Sequence, residues 1–287
     1  MAVEHYHAPS RLADALEHLR GGEATILAGG TDLMPQTRSG RVKLARVLVN
    51  VRRVPELDGI AREDGAIRIG ALATITRIMN DPLVRGHLPI LADACDHFAS
   101  DQLRNAATIG GNVCNASPAG DTLVPLLALD AEAVLASKPD GQVVTRRVPL
   151  AAFFTGPGRT VRAPGELLTE LRVPLPPAGA VGRFFKFGTR PALDISAISL
   201  ALSASRDGRA LRNVRIACGA VAPVPMRATA TEALLEGAAL DAATIARAAA
   251  SLRDEVRPID DVRASAWYRR ELVHNMFRRI LDDVAQA

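Results

Sequence analysis

Two short stretches carry the residue types needed to hold a large polar ligand. The longer is Thr108–Asp121, read as TIGGNVCNASPAGD. Its glycines, asparagines and proline suit neither a helix interior nor a strand interior. Gly110-Gly111 has no Cβ to keep a ligand away, and Thr108, Asn112, Asn115, Ser117 and Asp121 add short polar groups. The pattern fits a backbone cradle for a phosphate-bearing ligand, or an ordinary polar loop. The shorter stretch is Ala28-Gly29-Gly30-Thr31-Asp32, directly after the apolar run Thr25–Ala28. Glycines at a strand end let N–H groups face an anion, and a helical start after them adds a favourable dipole. Neither stretch is a P-loop, since G-x-x-x-x-G-K-[ST] is absent. G-x-G-x-x-G is also absent from both, which argues against the usual dinucleotide fingerprint. A ligand held by both stretches would lie in a cleft between them.

Other chemistries find less support. Cys95, Cys114 and Cys218 do not fall at metal-ligand spacing, so neither zinc nor an Fe–S cluster is expected on this chain. An odd, unpaired set of cysteines suits a reducing compartment, and a cytoplasmic location is expected. Cys114 is either a redox thiol or a small packing residue. The histidines show no H-x-x-x-H, and the G-x-S-x-G elbow of a hydrolase is missing. Lys186 is one of only three lysines and lies in the apolar run Phe184-Phe185-Lys186-Phe187. A cation there needs a partner, unless it is a surface lysine. The net charge of +4 comes from arginines interleaved with acids, and aromatics are 3% of the chain. That leaves neither the basic block nor the stacking equipment of a nucleic-acid binder. No apolar run reaches the ~18 residues of a membrane span.

The elements that must position these residues fall into three blocks. In residues 1–54, Ser10 can cap a helix through Leu12, Ala15, Leu16 and Leu19, which Gly21-Gly22 stops. Strands at Thr25–Ala28 and Val47–Val51 complete a small parallel α/β unit. Residues 55–176 read as a mostly antiparallel sheet with helices. One hairpin turns at Glu63-Asp64-Gly65 and another at Lys138–Gly141, and Leu167–Val173 is a further strand. Thr74 caps a short helix, Pro82 opens one running to about Phe98, and Thr122–Leu129 is a buried helix. After the linker Pro174–Gly182, residues 177–287 read as a small α+β domain. It has three strands, Phe184–Phe187, Ala197–Ser203 and Val214–Cys218, and helices over about 228–236, 241–255 and 264–283.

AGGTDL, TIGGN followed by NASPAGD, GELLTEL and FFKFGTR, in this order, resemble the FAD-binding medium subunit of the molybdenum hydroxylases, such as xanthine and carbon monoxide dehydrogenases. The likeness extends to GAVAPVPMRA and DVRASAWYRREL, so it covers nearly the whole chain. It implies an α+β architecture: a vanillyl-alcohol-oxidase-type FAD fold in two subdomains, then a C-terminal domain. It implies that Ala28, Gly29, Gly30, Thr31, Asp32 and Leu33 wrap the pyrophosphate. Thr108, Ile109, Gly110, Gly111 and Asn112 would form a second clamp. Asp121 would accept hydrogen bonds from sugar-chain hydroxyls, Leu168 would pack on the ring systems, and Lys186 would sit near the flavin ring. A cation there stabilises the reduced, negatively charged flavin.

The resemblance also implies an electron-transfer subunit with non-covalent FAD. Its expected partners are a large molybdopterin-binding subunit and a small subunit with two [2Fe-2S] clusters, as a dimer of heterotrimers. The acceptor would be NAD, oxygen, a quinone or a protein. A stand-alone FAD-dependent oxidoreductase on the same fold is the alternative.

Overall fold

The structure, a computed structural model, describes residues 3–190 and 193–286. Its N-terminal unit runs β1 (His5–His7), α1 (Leu12–Leu19), β2 (Ala24–Leu27), α2 (Leu33–Arg38) and β3 (Val47–Asn50). The strands are parallel in the order β1-β3-β2, with the apolar VLVN in the centre. Ala15, Leu16 and Leu19 pack on Val49, Val51, Val54 and Leu57. Ser10 does not cap α1. Arg11 holds the cap position without a side-chain bond, and the Leu12 amide donates 3.0 Å to Glu56 Oε1. A carboxylate distant in sequence thus replaces the local hydroxyl.

The middle unit opens with the hairpin β4 (Ile60–Glu63) and β5 (Ala66–Gly70), followed by α3 (Ile75–Asn80), which Thr74 caps. The single helix expected from Pro82 is two, α4 (Pro82–His87) and α5 (Pro89–Asp96). Pro89 pulls Leu88 out of helical geometry, to φ −127° and ψ 50°. Next come α6 (Asp101–Arg104), α7 (Ile109–Asn115) and the wholly buried α8 (Leu123–Ala128). Strands β6 (Glu132–Ser137), β7 (Val144–Pro149), β8 (Phe154–Gly156), β9 (Arg159–Thr160) and β10 (Leu167–Pro174) finish the unit. Five strands form an antiparallel sheet in the order β4-β5-β10-β6-β7. The central place of β10 explains why LLTELRVP is nearly continuously buried rather than alternating.

The last unit is an antiparallel sheet of β11 (Ala180–Phe187), β12 (Ile198–Asp207), β13 (Ala210–Gly219) and β14 (Met226–Arg227). It has four strands, not three, because the short MR pairs with Ala217 and Cys218. It is covered by α9 (Thr229–Leu235), α10 (Ala242–Glu255) and α11 (Ala266–Gln286). β11 also starts earlier than the linker reading allowed. Gly182 lies inside it, where an added Cβ would sit 2.7 Å from Ile90 Cγ2. The strand is shared between two cores. Phe184 packs on the middle unit, and Phe185 and Phe187 on the C-terminal one. Among the described residues, no helix is long and apolar enough to cross a membrane.

Candidate functional site

A cavity of about 770 Å³ is lined by all three units. That size suits a large small-molecule ligand. Its first wall is the turn between β2 and α2. Gly30 adopts φ +72°, which lets the chain reverse directly after the strand. Among the described residues, the amides of Gly29, Gly30, Thr31, Asp32 and Leu33 donate no hydrogen bond. Successive free N–H groups along a cavity wall form an anion-binding nest. Ala28–Leu33 all line the cavity.

The second wall differs from its reading as a loop cradle. TIGGN starts the helix α7, and its first amides are spent. Ile109 donates to Ala73 O, Gly110 to Ala71 O and Asn112 to Thr108 O, each at 3.0 Å. The Gly111 amide donates 3.1 Å to Thr108 Oγ1, so Thr108 is a helix cap. The Ile109–Asn112 amides therefore form no cradle, and this part of the stretch contributes surface and side chains instead. The two glycines divide the work. An added Cβ at Gly110 would meet Ala71 Cβ at 2.7 Å, a packing constraint. At Gly111 it would meet only Thr108 Oγ1, at 2.9 Å, on a residue that lines the cavity. Thr108, Gly110, Gly111 and Asn112 all reach the wall. Ile109 does not, because it is wholly buried in the middle core.

Asp121 lines the cavity, but the protein already engages both of its oxygens. Lys186 Nζ donates to Oδ2 at 2.8 Å and Ser196 Oγ to Oδ1 at 3.0 Å. Burial pushes the Asp121 carboxyl up, with Lys186 and Ser196 pulling the other way. Lys186 also donates 2.9 Å to His97 O and is not on the cavity wall. It was expected beside the ligand and is found behind Asp121, through which it must act. Leu168 lines the cavity where a bulge interrupts the β10–β6 pairing.

Several wall residues carried no recognisable signal in the sequence. Gln36 Nε2 donates to Asp32 Oδ2 at 2.6 Å and to Asn115 Oδ1 at 3.2 Å, bridging the two walls. The i,i+4 spacing from Asp32 was the one available hint. Leu193, Asp194 and Ile195 bring the C-terminal unit to the cavity, and Arg162 reaches it from the β9–β10 connection. Cys114 is on the wall too. Burial pushes its thiol up to about 11, against the pull of Arg162, so it is a neutral thiol near pH 7.

Free amides share this cavity with apolar wall residues such as Val51, Leu57, Phe98 and Leu168, which suits a ligand that carries both anionic and apolar groups. A dinucleotide has that form, with a pyrophosphate between two ring systems. The open face of Gly111 leaves room for it.

Comparison with known proteins agrees. Residues 1–176 match the family model for the FAD-binding domain in molybdopterin dehydrogenase. Residues 183–284 match that for the C-terminal domain of CO dehydrogenase flavoprotein. The chain is 35% identical to the xanthine dehydrogenase FAD-binding subunit of Escherichia coli O157:H7, over 98% of this chain and 96% of that one. It is 31% identical to the carbon monoxide dehydrogenase medium chain of Hydrogenophaga pseudoflava, over 96% and 95%. A solved carbon monoxide dehydrogenase from Hydrogenophaga pseudoflava, lacking the Mo-pyranopterin moiety, superposes with a TM-score of 0.91. The identity is 32%, covering 97% of this chain and 96% of that chain. With family models spanning both parts of the chain, relatives of 31–35% identity over nearly its full length and a solved structure of the same fold, the protein belongs to the FAD-binding medium subunits of the molybdenum hydroxylase family, as an oxidoreductase component.

Proposed function

We propose that this chain is the electron-transfer subunit of a cytoplasmic molybdenum hydroxylase. Electrons come from two [2Fe-2S] clusters on a small partner subunit, pass through FAD held here, and leave to an external acceptor. The hydroxylation itself belongs to a large molybdopterin-binding partner, in a dimer of heterotrimers. Non-covalent FAD, when bound, supplies the redox chemistry; the residues of this chain supply binding, orientation and field.

The run of unpartnered amides at Gly29–Leu33 on the wall of a dinucleotide-sized cavity carries the reading. These amides take the pyrophosphate, with Ala28 beside them. Gly111 gives the open face of the opposite wall, Thr108 and Asn112 its polar rim, and Leu168 the apolar contact to a ring. Asp121, steadied by Lys186, sets the local charge. FAD binding is divided between residues 1–54 and 55–176, and residues 177–287 close one side. Three free cysteines suit a reducing compartment.

Purifying the chain alone and with its partner subunits tests the proposal. The expected result is a yellow chain whose flavin is reduced by substrate only when the partners are present. Turnover of a small substrate by the isolated chain would overturn the electron-transfer role. A colourless chain that fails to take up added FAD would overturn the cofactor assignment.

A further inference from the structure

Arg162 lies outside every motif that carries the family resemblance, yet it is the one basic side chain on the cavity wall among the described residues. It is firmly placed. Its Nη1 donates 2.7 Å to Glu166 O, and its amide donates 3.3 Å to Thr160 Oγ1. The neighbouring carboxylate, Glu166, is already neutralised. Arg146 donates to its two oxygens at 2.6 and 2.7 Å, and the Ala163 amide adds a bond of 2.7 Å to Oε2. Arg146 holds the Glu166 carboxyl below its usual range.

The acids on the cavity wall are engaged as well. Asp32 is bound by Gln36 and Asp121 by Lys186. Asp194 accepts from Thr189 Oγ1 and from the amides of its own loop. Among the described residues, Arg162 makes no ion pair, having only a backbone carbonyl as its partner. A half-buried guanidinium without an ion-pair partner, on the same cavity wall as a run of free amides, has the chemistry to receive an anion.

We propose that Arg162 is a cofactor-binding residue that recognises the pyrophosphate of the dinucleotide. Because Arg146 has taken the nearby carboxylate, Nε and Nη2 of Arg162 have no partner among the described residues, while Nη1 holds the side chain to Glu166 O. Arg146 and Glu166 are then positioning residues, which fix the Thr160–Glu166 connection and keep Arg162 unpaired. This inference rests on the reading of the cavity as the FAD site.

The test uses the full chain stripped of flavin and three probes: FAD, ADP and riboflavin. Dissociation constants are measured for the wild type, Arg162→Met and Arg162→Lys at low and moderate salt. In Arg162→Met, affinity for FAD and ADP is expected to fall about tenfold, with riboflavin unchanged. The salt dependence of FAD binding should weaken in that variant, since one phosphate contact is lost. Arg162→Lys, which keeps the charge but not the fork, should be intermediate with the wild-type salt response. Unchanged FAD and ADP affinity in both variants would overturn the proposal. So would an equal loss for all three probes, which would mark Arg162 as merely structural. Should the methionine variant not fold, Arg162→Gln is read by the same criteria. A wild-type chain that binds neither FAD nor ADP would instead overturn the parent assignment of the cavity.

Discussion

Gly29 and Gly111 carry the same absence of a side chain, but substitution should affect them differently. A Cβ on Gly29 would lie 2.1 Å from the Ala106 carbonyl oxygen, and backbone cannot give way as a side chain can. Gly29→Ala should therefore prise the two walls apart. The expected result is loss of bound flavin and a melting temperature several degrees lower. Gly111→Ala meets only the Thr108 hydroxyl and should keep the fold while weakening flavin retention. Flavin-to-protein ratios and thermal melts of the two variants check this; the same phenotype in both would contradict it. Cys114 gives a second residue-scale readout. Among the cysteines, only it lines the cavity, while Cys95 and Cys218 are buried elsewhere. Alkylation should be slow near neutral pH, accelerate toward pH 11, and be blocked by added FAD. Equal labelling with and without FAD would mean that the cofactor does not cover that wall. Residue types alone had singled out two stretches that the structure places on the wall of one cavity. They could not say which glycine is packed against distant backbone and which leaves its face open, because that depends on Ala71 and Ala106, distant in sequence.

Among the elements, β11 links the parts of the chain. Its alternation sends Phe184 and Lys186 to one side, and Phe185 and Phe187 to the other. The period was visible only in FFKF, so the partner that a buried lysine requires could be expected but not named. That partner is Asp121, and the pair is nearly buried, with 7% and 11% of the side chains exposed. Lys186→Met should strand the carboxylate and cost about 3–5 kcal/mol. Adding Asp121→Asn to that variant should recover much of the loss. Urea midpoints for the two singles and the double give the coupling, and additive losses would show that the pair is not a unit. Helix α7 was illegible for a different reason. Two glycines inside a seven-residue helix defy local propensity. The helix forms because Thr108 caps it and because Gly110 lets it sit on Ala71. The break between α4 and α5 was legible in principle, since Pro89 stood in the sequence. The pairing of β14 was not, because two residues carry no periodicity.

For the molecule as a whole, the acid limit of stability should be set in part by Asp261. Burial alone would push its carboxyl up, but hydrogen bonds from Arg263 and Arg269 hold it well below the ordinary 3.8. Arg269 is itself 2% exposed; it donates 2.6 Å to Asp261 Oδ1 and 2.6 Å to Ala220 O. A carboxyl with a depressed folded value contributes stability above its unfolded value and loses it as pH falls. The wild type should thus lose stability below about pH 4, and Asp261→Asn should be less stable at neutral pH with a flatter acid limb. Thermal melts across pH decide it; parallel curves for the two proteins would rule Asp261 out.

The cavity wall also fixes an order of events during synthesis. Ala28–Leu33 and α7 leave the ribosome well before Lys186, Ser196 and the Leu193–Ile195 segment. Domains fold from the N-terminus as they emerge. Until β11 arrives, Asp121 has neither its cation nor its hydroxyl donor, and one side of the compartment is open to water. Completion of the cavity therefore waits for the emergence of the C-terminal sheet, well after the Ala28–Leu33 and α7 walls have been made.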